Sequence, residues 1–307
     1  MLVTFVRRTL KAIAAAALLL VLVACAQIFR NSGTDPLPDR AANALRVATY
    51  NVHYIVVRRA TGDWSLGDWD RRKGPMDEAF KFIDADLVAF QEMESFSGRE
   101  ADQENLNLAY LLDSNPGYAA AASGDPAVFP NTQPILYRTD RLEMTDQGWF
   151  FFSDTPDVIY SRTFNGSYPA YASWASFTDR STGAAFRVVN IHTDFRSRSN
   201  RLQSVELVAA RIQPWIAAGE TVLVVGDLNA RLGDRTLEIV EDVGITFAPV
   251  EGATYHFNRG LNLFGAIDHI GWTDDVTMAG DPAVIRKQFS GEWPTDHYPV
   301  LVDLILN

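Results

Sequence analysis

Cysteine is almost absent from this chain: 307 residues contain one, Cys25. A lone thiol excludes an intrachain disulfide framework and a thiolate cage for structural zinc, so stability must come from the core. No internal repeat or low-complexity tract is present, which excludes a repeat architecture. Positive charge is also short, with 27 Lys and Arg against 38 Asp and Glu and a net charge of −11. An acidic body is a poor non-specific binder of nucleic acid unless cations or a local basic patch intervene. That counts against a nuclease without removing it, since acidic metal-dependent nucleases exist. What remains is ordinary globular material, 47% hydrophobic and 21% charged, enough for a sizeable core.

The long apolar run sits at the start, MLVTFVRRTLKAIAAAALLLVLVAC. Arg7, Arg8 and Lys11 precede an uninterrupted apolar stretch from Ala12 to Ala24, the pattern of a secretory signal. Extended through Phe29 the run reaches about 18 residues, the lower limit for a transmembrane anchor. Leu22-Val23-Ala24-Cys25 resembles the lipobox of bacterial lipoproteins, whose cysteine is lipidated and becomes the new N-terminus. The expectation is an exported, cell-envelope lipoprotein, with an N-terminal transmembrane anchor as the alternative. Loss of residues 1–25 removes three positive charges and no acids, taking the net charge from −11 to −14. Residues 26–44, polar and with two prolines, read as a linker.

From Leu45 the pattern is α/β. Arg46 to His53 reads as a strand, and Pro75-Met76-Asp77-Glu78 as a helix start, since proline suits the first helical position and acids the positive end. Asp86 to Phe90, Ile135 to Tyr137, Tyr171 to Phe177, Phe186 to Ile191, Thr221 to Val225, Ala266 to Trp272 and Tyr298 to Leu306 read as strands. A helix is expected over about 200–217, capped by Ser199 or Asn200.

Several of these apolar runs end in a polar side chain: Asn51 after RVATY, Glu92 after DLVAFQ, His192 after RVVNI, and Asp227 with Asn229 in VVGDLNA. Asp268 in GAIDHIGW and Asp296-His297 in PTDHYPVLV flank two more. Strand ends are where α/β folds place active sites. Four convergent carboxylates are costly without a cation. Hard oxygen donors with no thiolate suit Mg²⁺, or Mn²⁺ or Ca²⁺. Such a centre suits phosphoester hydrolysis, in which the ion neutralises phosphate charge and a histidine steadied by a carboxylate moves the proton. Asp268 is the candidate partner of His297.

The ordered set TYN (49–51), FQEM (90–93), NIHTD (190–194), GDLNA (226–230), IDHI (267–270) and TDHYPV (295–300) resembles the endonuclease/exonuclease/phosphatase superfamily, the deoxyribonuclease I-like fold. The resemblance spans about 46–306. It implies a four-layer α/β sandwich, two mixed β-sheets packed together with helices outside, as one catalytic domain over 45–307. It also implies roles: Glu92 as principal metal ligand with Asn51 beside it and Asp296 on the metal side. Asp227 and Asn229 would orient the water and contact the phosphate, His297 would be the catalytic histidine paired with Asp268, and His192 the second histidine. Relatives that use that second histidine carry an acid before the PILYR-like strand; here the place holds Asn131. Some relatives have Pro-Arg where this chain has Pro169-Ala170.

A phosphate-binding arginine must then come from elsewhere. Arg196 and Arg198, at the start of the expected 200–217 helix, are candidates, with solvated surface arginines as the alternative. The segment Arg58 to Lys73, with Trp64 and Trp69, reads either as a substrate- or membrane-facing lip or as a cap on the core. The reading is a divalent-metal-dependent phosphoesterase acting on phosphodiesters or phosphomonoesters at the cell envelope. An extracellular nuclease on DNA or RNA, or a catalytically inactive binding homologue, are the alternatives. Substrate, metal count and oligomeric state stay open.

Overall fold

The computed structural model describes residues 2–33, 37–96, 105–162, 164–165 and 168–306. Two mixed sheets lie face to face. The first runs β13 (Val276–Met278), β15 (Val300–Leu306), β1 (Leu45–Asn51), β3 (Leu87–Gln91), β6 (Ile135–Arg138) and β5 (Tyr118–Ala121), with β14 (Ala283–Val284) beside β15. The second runs β11 (Thr246–Phe247), β12 (Asp268–Trp272), β10 (Thr221–Asp227), β9 (Ala185–His192), β8 (Tyr171–Asp179) and β7 (Leu142–Phe151). A short parallel ribbon joins β2 (Ile55–Val56) to β4 (Ser95–Phe96). Outside the first sheet pack α2 (Leu66–Ile83) and α3 (Leu106–Ser114); outside the second pack α4 (Arg198–Ala217) and α5 (Arg235–Glu241).

The layering follows from side-chain alternation. Residues two apart on a strand share a face. In β10, Leu223 and Val225 point between the sheets while Val222 and Val224 meet α4 and α5; in β1, Val47 points inward and Ala48 and Tyr50 point toward α2. These strands are buried on both faces, so they read as continuous apolar runs. The expected four-layer α/β sandwich is what forms.

Local details differ from expectation. Helix α2 begins at Leu66, not Pro75, because Ser65 caps it: the Ser65 hydroxyl accepts from the Asp68 backbone N–H at 3.2 Å. Pro75 sits inside the helix and costs it a backbone hydrogen bond. The buried stripe of Trp69, Arg72, Met76, Ala79, Phe80 and Ile83 carries the helix through. Helix α4 is capped by Ser197, whose hydroxyl accepts from Asn200 N–H at 3.2 Å, rather than by Ser199 or Asn200. At the chain start, α1 (Leu2–Asn31) runs unbroken through Cys25 and is long and apolar enough to cross a membrane. The stretch 26–44, expected as a linker, is therefore helical as far as Asn31. Further on, Leu37 packs against the α2 side of the core, and Arg40 bonds Asp86 at 2.7 Å.

Candidate active site

The same alternation that builds the central core builds the site at one end of it. Inward positions continue from Val47 to Thr49 and Asn51 in β1, from Ala89 to Gln91 in β3, from Val188 to Asn190 and His192 in β9, and from Val225 to Asp227 in β10. The apolar row thus turns polar in all four strands at one level. Just above the apolar core lies a buried amide layer. The Thr49 hydroxyl donates to Gln91 Oε1 (3.2 Å), Gln91 Nε2 to Asn190 Oδ1 (2.7 Å), and Asn190 Nδ2 to the Phe90 carbonyl (2.7 Å) and the Gln133 carbonyl (3.1 Å). The bonds of Asn190 to Gln91 and Phe90 cross from sheet to sheet and fix their relative height.

One layer further out are the candidate catalytic groups. Asn51 Nδ2 donates to Glu92 Oε1 at 3.1 Å and to Asp227 Oδ2 at 3.2 Å, tying the two sheets together again. Its Oδ1 accepts from His53 N–H at 3.1 Å. Asp227 stands opposite His192 in the parallel β9–β10 pair and opposite Asp268 in the antiparallel β10–β12 pair. His297 Nδ1 lies 3.0 Å from Asp268 Oδ2, and its Nε2 faces Asp227 Oδ2 at 3.7 Å. His192 Nε2 is 3.7 Å from Asp227 Oδ2 and 3.8 Å from Glu92 Oε1. Asn229, in the left-handed region at φ 47°, gives its backbone N–H to Asp227 Oδ1 (2.9 Å) and its side-chain Nδ2 to the Thr193 carbonyl (2.9 Å). Glu92 also has a left-handed backbone, φ 53°, a conformation that costs energy and is held where the surroundings demand it.

Burial and charge set the protonation states. Burial, reinforced by Asp268 across the strand pair, pushes the Asp227 carboxyl up to about 6, with His297 and His192 pulling the other way. For His297, burial disfavours the charged ring, but Asp268, through its charge and hydrogen bond, and then Asp227 and Asp296 outweigh it and push it up to about 10. Both shifts run the same way, toward a more basic Asp227 carboxyl and a charged His297 ring. Atoms of Asp227, Asp268 and His297 able to bind a metal lie within 4.8 Å of one another. His297 Nδ1 is already committed to Asp268, so this trio is better suited to moving a proton than to caging an ion.

The donors that fit a hard cation lie beside it. Glu92 accepts a single side-chain hydrogen bond among the described residues, from Asn51, and its side chain is 22% exposed. His53 Nε2 approaches Glu92 only to 3.9 Å. Asp268 Oδ1 is buried without a hydrogen-bond partner among the described residues. The underused oxygens of Glu92 are what a divalent ion would satisfy.

Not every expected residue joins the cluster. Arg196 lines a cleft of about 470 Å³ with Tyr54, Glu94, Tyr168, His192 and Phe195. Arg198 opens α4 and does not line that cleft. Asn131 forms no hydrogen bond with His192 among the described residues; its carbonyl accepts from Asn105 Nδ2 at 3.1 Å. The basic residues of 58–73 are largely consumed within the fold. Arg72 is buried and donates to the Val52 carbonyl at 2.9 Å, Arg71 pairs with Asp68 and Glu292, and Lys73 pairs with Asp70. Trp69 is buried, so it caps the core.

Three further residues of the candidate site, His53, Glu94 and Tyr255, carry no signal in the sequence pattern. His53 follows Asn51 by two positions, and Trp64 stacks on it with centroids 3.3 Å apart; burial lowers the His53 pKa, against the pull of Glu92 and Asp296. Glu94 lies two beyond Glu92, pushed up to about 8 by burial and by Glu92. Tyr255 places its ring 5.0 Å from that of His297. It lines a second cleft of about 430 Å³ with His53, Trp64, Phe257, Arg259 and Asp296.

Comparison with known proteins agrees with this architecture. No curated protein matches the sequence. Among solved structures, an endonuclease/exonuclease/phosphatase family protein from Bacteroides thetaiotaomicron superposes with TM-score 0.72 at 22% identity, covering 86% of this chain and 98% of that one. A mannosyl-6-phosphatase from Bacteroides thetaiotaomicron gives TM-score 0.71 at 23% identity over 85% of this chain and 99% of its own. TDP2 from D. rerio, complexed with single-strand DNA product, gives 0.59 at 16% identity over 85% and 99%. The model of the Endonuclease/Exonuclease/phosphatase family matches residues 48–297. That span starts in β1, ends at His297 and encloses both sheets' polar ends, so the chain belongs to the endonuclease/exonuclease/phosphatase family.

Proposed function

We propose that this protein is a divalent-metal-dependent phosphoesterase of the cell envelope, with Asp227 as base and His297 as acid. Members of its family are phosphoester hydrolases and depend on divalent metal. The observation that carries the assignment is the buried Asp268–His297 bond at 3.0 Å, with the other ring nitrogen aimed at Asp227.

Asp227 is held by Asn51 and by the Asn229 backbone, and so is fixed to take a proton from an attacking water. A pKa raised to about 6 makes it a stronger base than an ordinary aspartate while leaving it ionised at pH 7. His297, protonated at the same pH, donates to a phosphate oxygen or to the leaving oxygen. His192 faces both Glu92 and Asp227 and can hold a non-bridging oxygen. Glu92, Asn51 and Asp296 would hold the ion, Mg²⁺ or in its place Mn²⁺ or Ca²⁺, which would supply neutralisation of the phosphate charge. Arg7, Arg8 and Lys11 precede the apolar part of α1, a bias that keeps the N-terminus inside and puts the catalytic body outside.

The purified full chain in detergent is expected to hydrolyse bis-p-nitrophenyl phosphate with Mg²⁺ or Mn²⁺. Activity should vanish in chelator and return on adding the ion back. Turnover that persists in chelator would remove the metal from the mechanism. No turnover on any phosphoester with any divalent ion would sink the reading altogether.

A further inference from the structure

Helix α1 does not end in a free tether. Asn31, in its last turn, is buried; its carbonyl accepts from Ala253 N–H at 3.0 Å and its Nδ2 donates to the Asn262 carbonyl at 3.2 Å. Asn262 Nδ2 reaches back to the Ser32 hydroxyl at 2.8 Å, and its Oδ1 accepts from the Tyr298 hydroxyl at 3.2 Å. Tyr298 is the neighbour of His297. The end of α1 is thus hydrogen-bonded to the segment 253–262, which also carries Tyr255.

This fixes where the bilayer must be. If α1 spans the membrane, Asn31 lies at its surface. If Cys25 carries a lipid, the lipid attaches six residues earlier, about 9 Å along a helix. Either anchor holds the bilayer close to Asn31, and the residues around Asn31 cannot move away from it.

Those residues have the make-up of a bilayer-contacting rim. Gln27, Arg30 and Asn31 share a cleft of about 640 Å³ with Arg231, Leu232 and Phe264. Leu232, Leu261 and Phe264 are 39%, 39% and 53% exposed. Arg30, Arg231 and Arg259 are exposed nearby, with no ion pair among the described residues. Apolar side chains interleaved with arginines suit the headgroup boundary, and a cationic rim lets an acidic protein approach an anionic surface. From this rim an aromatic track leads inward. Ring centroids are 5.8 Å apart for Phe264 and Phe257, 4.5 Å for Phe257 and Tyr255, and 5.0 Å for Tyr255 and His297. Leu261 and Leu263 line the cleft that reaches His53 and Asp296.

We propose that the loop 255–265 rests on the bilayer that anchors α1, and that the substrate is the phosphoester headgroup of an amphiphile embedded in that bilayer. The headgroup enters along Phe264, Phe257 and Tyr255. This rests on the phosphoesterase reading and names its substrate class. The reaction is simple hydrolysis: a water oxygen bonds to phosphorus, the bond to the leaving oxygen breaks, and a proton passes to that oxygen.

The test uses the full chain in vesicles of phosphatidylethanolamine and phosphatidylglycerol. Two substrates share one chromophore: vesicle-embedded hexadecyl p-nitrophenyl phosphate and water-soluble bis-p-nitrophenyl phosphate. The double variant Arg231→Glu and Leu232→Asp, on the rim but off the aromatic track, should lose about tenfold or more on the embedded substrate, given the charge and apolar area withdrawn from the bilayer. Its turnover of the soluble substrate should be unchanged, which also reports that it folds. Equal losses on both substrates, or no loss on either, overturn the proposal while the phosphoesterase reading stands. A second readout needs no turnover: a diazirine-bearing phospholipid should label residues 257–264 of the unmodified chain. Labelling confined to α1 removes the loop from the bilayer.

Discussion

Alanine at His297 is expected to lower kcat by roughly 10²–10⁴-fold, the usual worth of a positioned acid or base. Alanine at Asp227 should do the same. The two groups face each other at 3.7 Å and serve one proton path. The double variant should therefore be little slower than the worse single variant, as expected for residues that act as a unit. Single-turnover and steady-state rates on bis-p-nitrophenyl phosphate, with saturating Mg²⁺, read this directly. Full turnover in either single variant would remove that residue from the mechanism. The two losses should differ in a second respect. His297→Ala leaves Asp268 buried and unpaired, which is destabilising, whereas Asp227→Ala removes a carboxylate that faces another across a strand pair. A thermal melt should show the first variant less stable than the second.

The other large effect is structural. Gly226→Ala should destabilise the fold by about 3–5 kcal/mol, combining a strained backbone with overpacking. Gly226 has φ 146°, and a Cβ there would lie 1.8 Å from the Ile191 carbonyl oxygen. That oxygen belongs to β9, one residue before His192, so relief would come only by moving the strand that carries it. Gly183 is the control: its φ is 77°, but a Cβ there meets nothing within 4 Å. Gly183→Ala should cost only the backbone strain. Urea midpoints for the two variants separate the terms, and equal shifts would mean the close approach to Ile191 contributes nothing.

How much of this was legible depended on burial. Strands such as Thr221–Asp227 and Ala185–His192 are covered on both faces, and their largely apolar runs declare them. The ten-residue β7 is hidden in the sequence because it lies at a sheet edge and its alternation breaks at an irregularity between Met144 and Asp146, amid polar Thr145, Asp146 and Gln147. The start of α2 was misplaced because Pro75 resembles a first-turn proline, while the capping signal, Ser65 with Asp68, lies amid a polar and aromatic stretch. Within the site, Asn51, Glu92, His192, Asp227, Asp268 and His297 could be picked out because each terminates or flanks an apolar run. His53 could not, since it reads as the end of the same strand; it turns out of line at φ 54° and reaches Glu92 only through the fold. Arg196 and Arg198 looked equivalent in sequence, and only the course of the chain into α4 separates them.

The run of inward positions from Val47 to Asn51 and from Val225 to Asp227 has a consequence for how such an enzyme can change. Core and candidate catalytic groups share one register, so a one-residue slip would turn the valines toward the helices and carry Asn51 and Asp227 out of the site together. Heritable variation in the chemistry is thereby penalised as misfolding. The groups that border the clefts, Trp64, Arg196, Tyr255, Phe257 and Arg259, sit on connections between strands, where length and composition are free to drift. A lineage built on this sandwich would keep its reaction and diversify its clientele, with new substrates arriving by loop replacement alone.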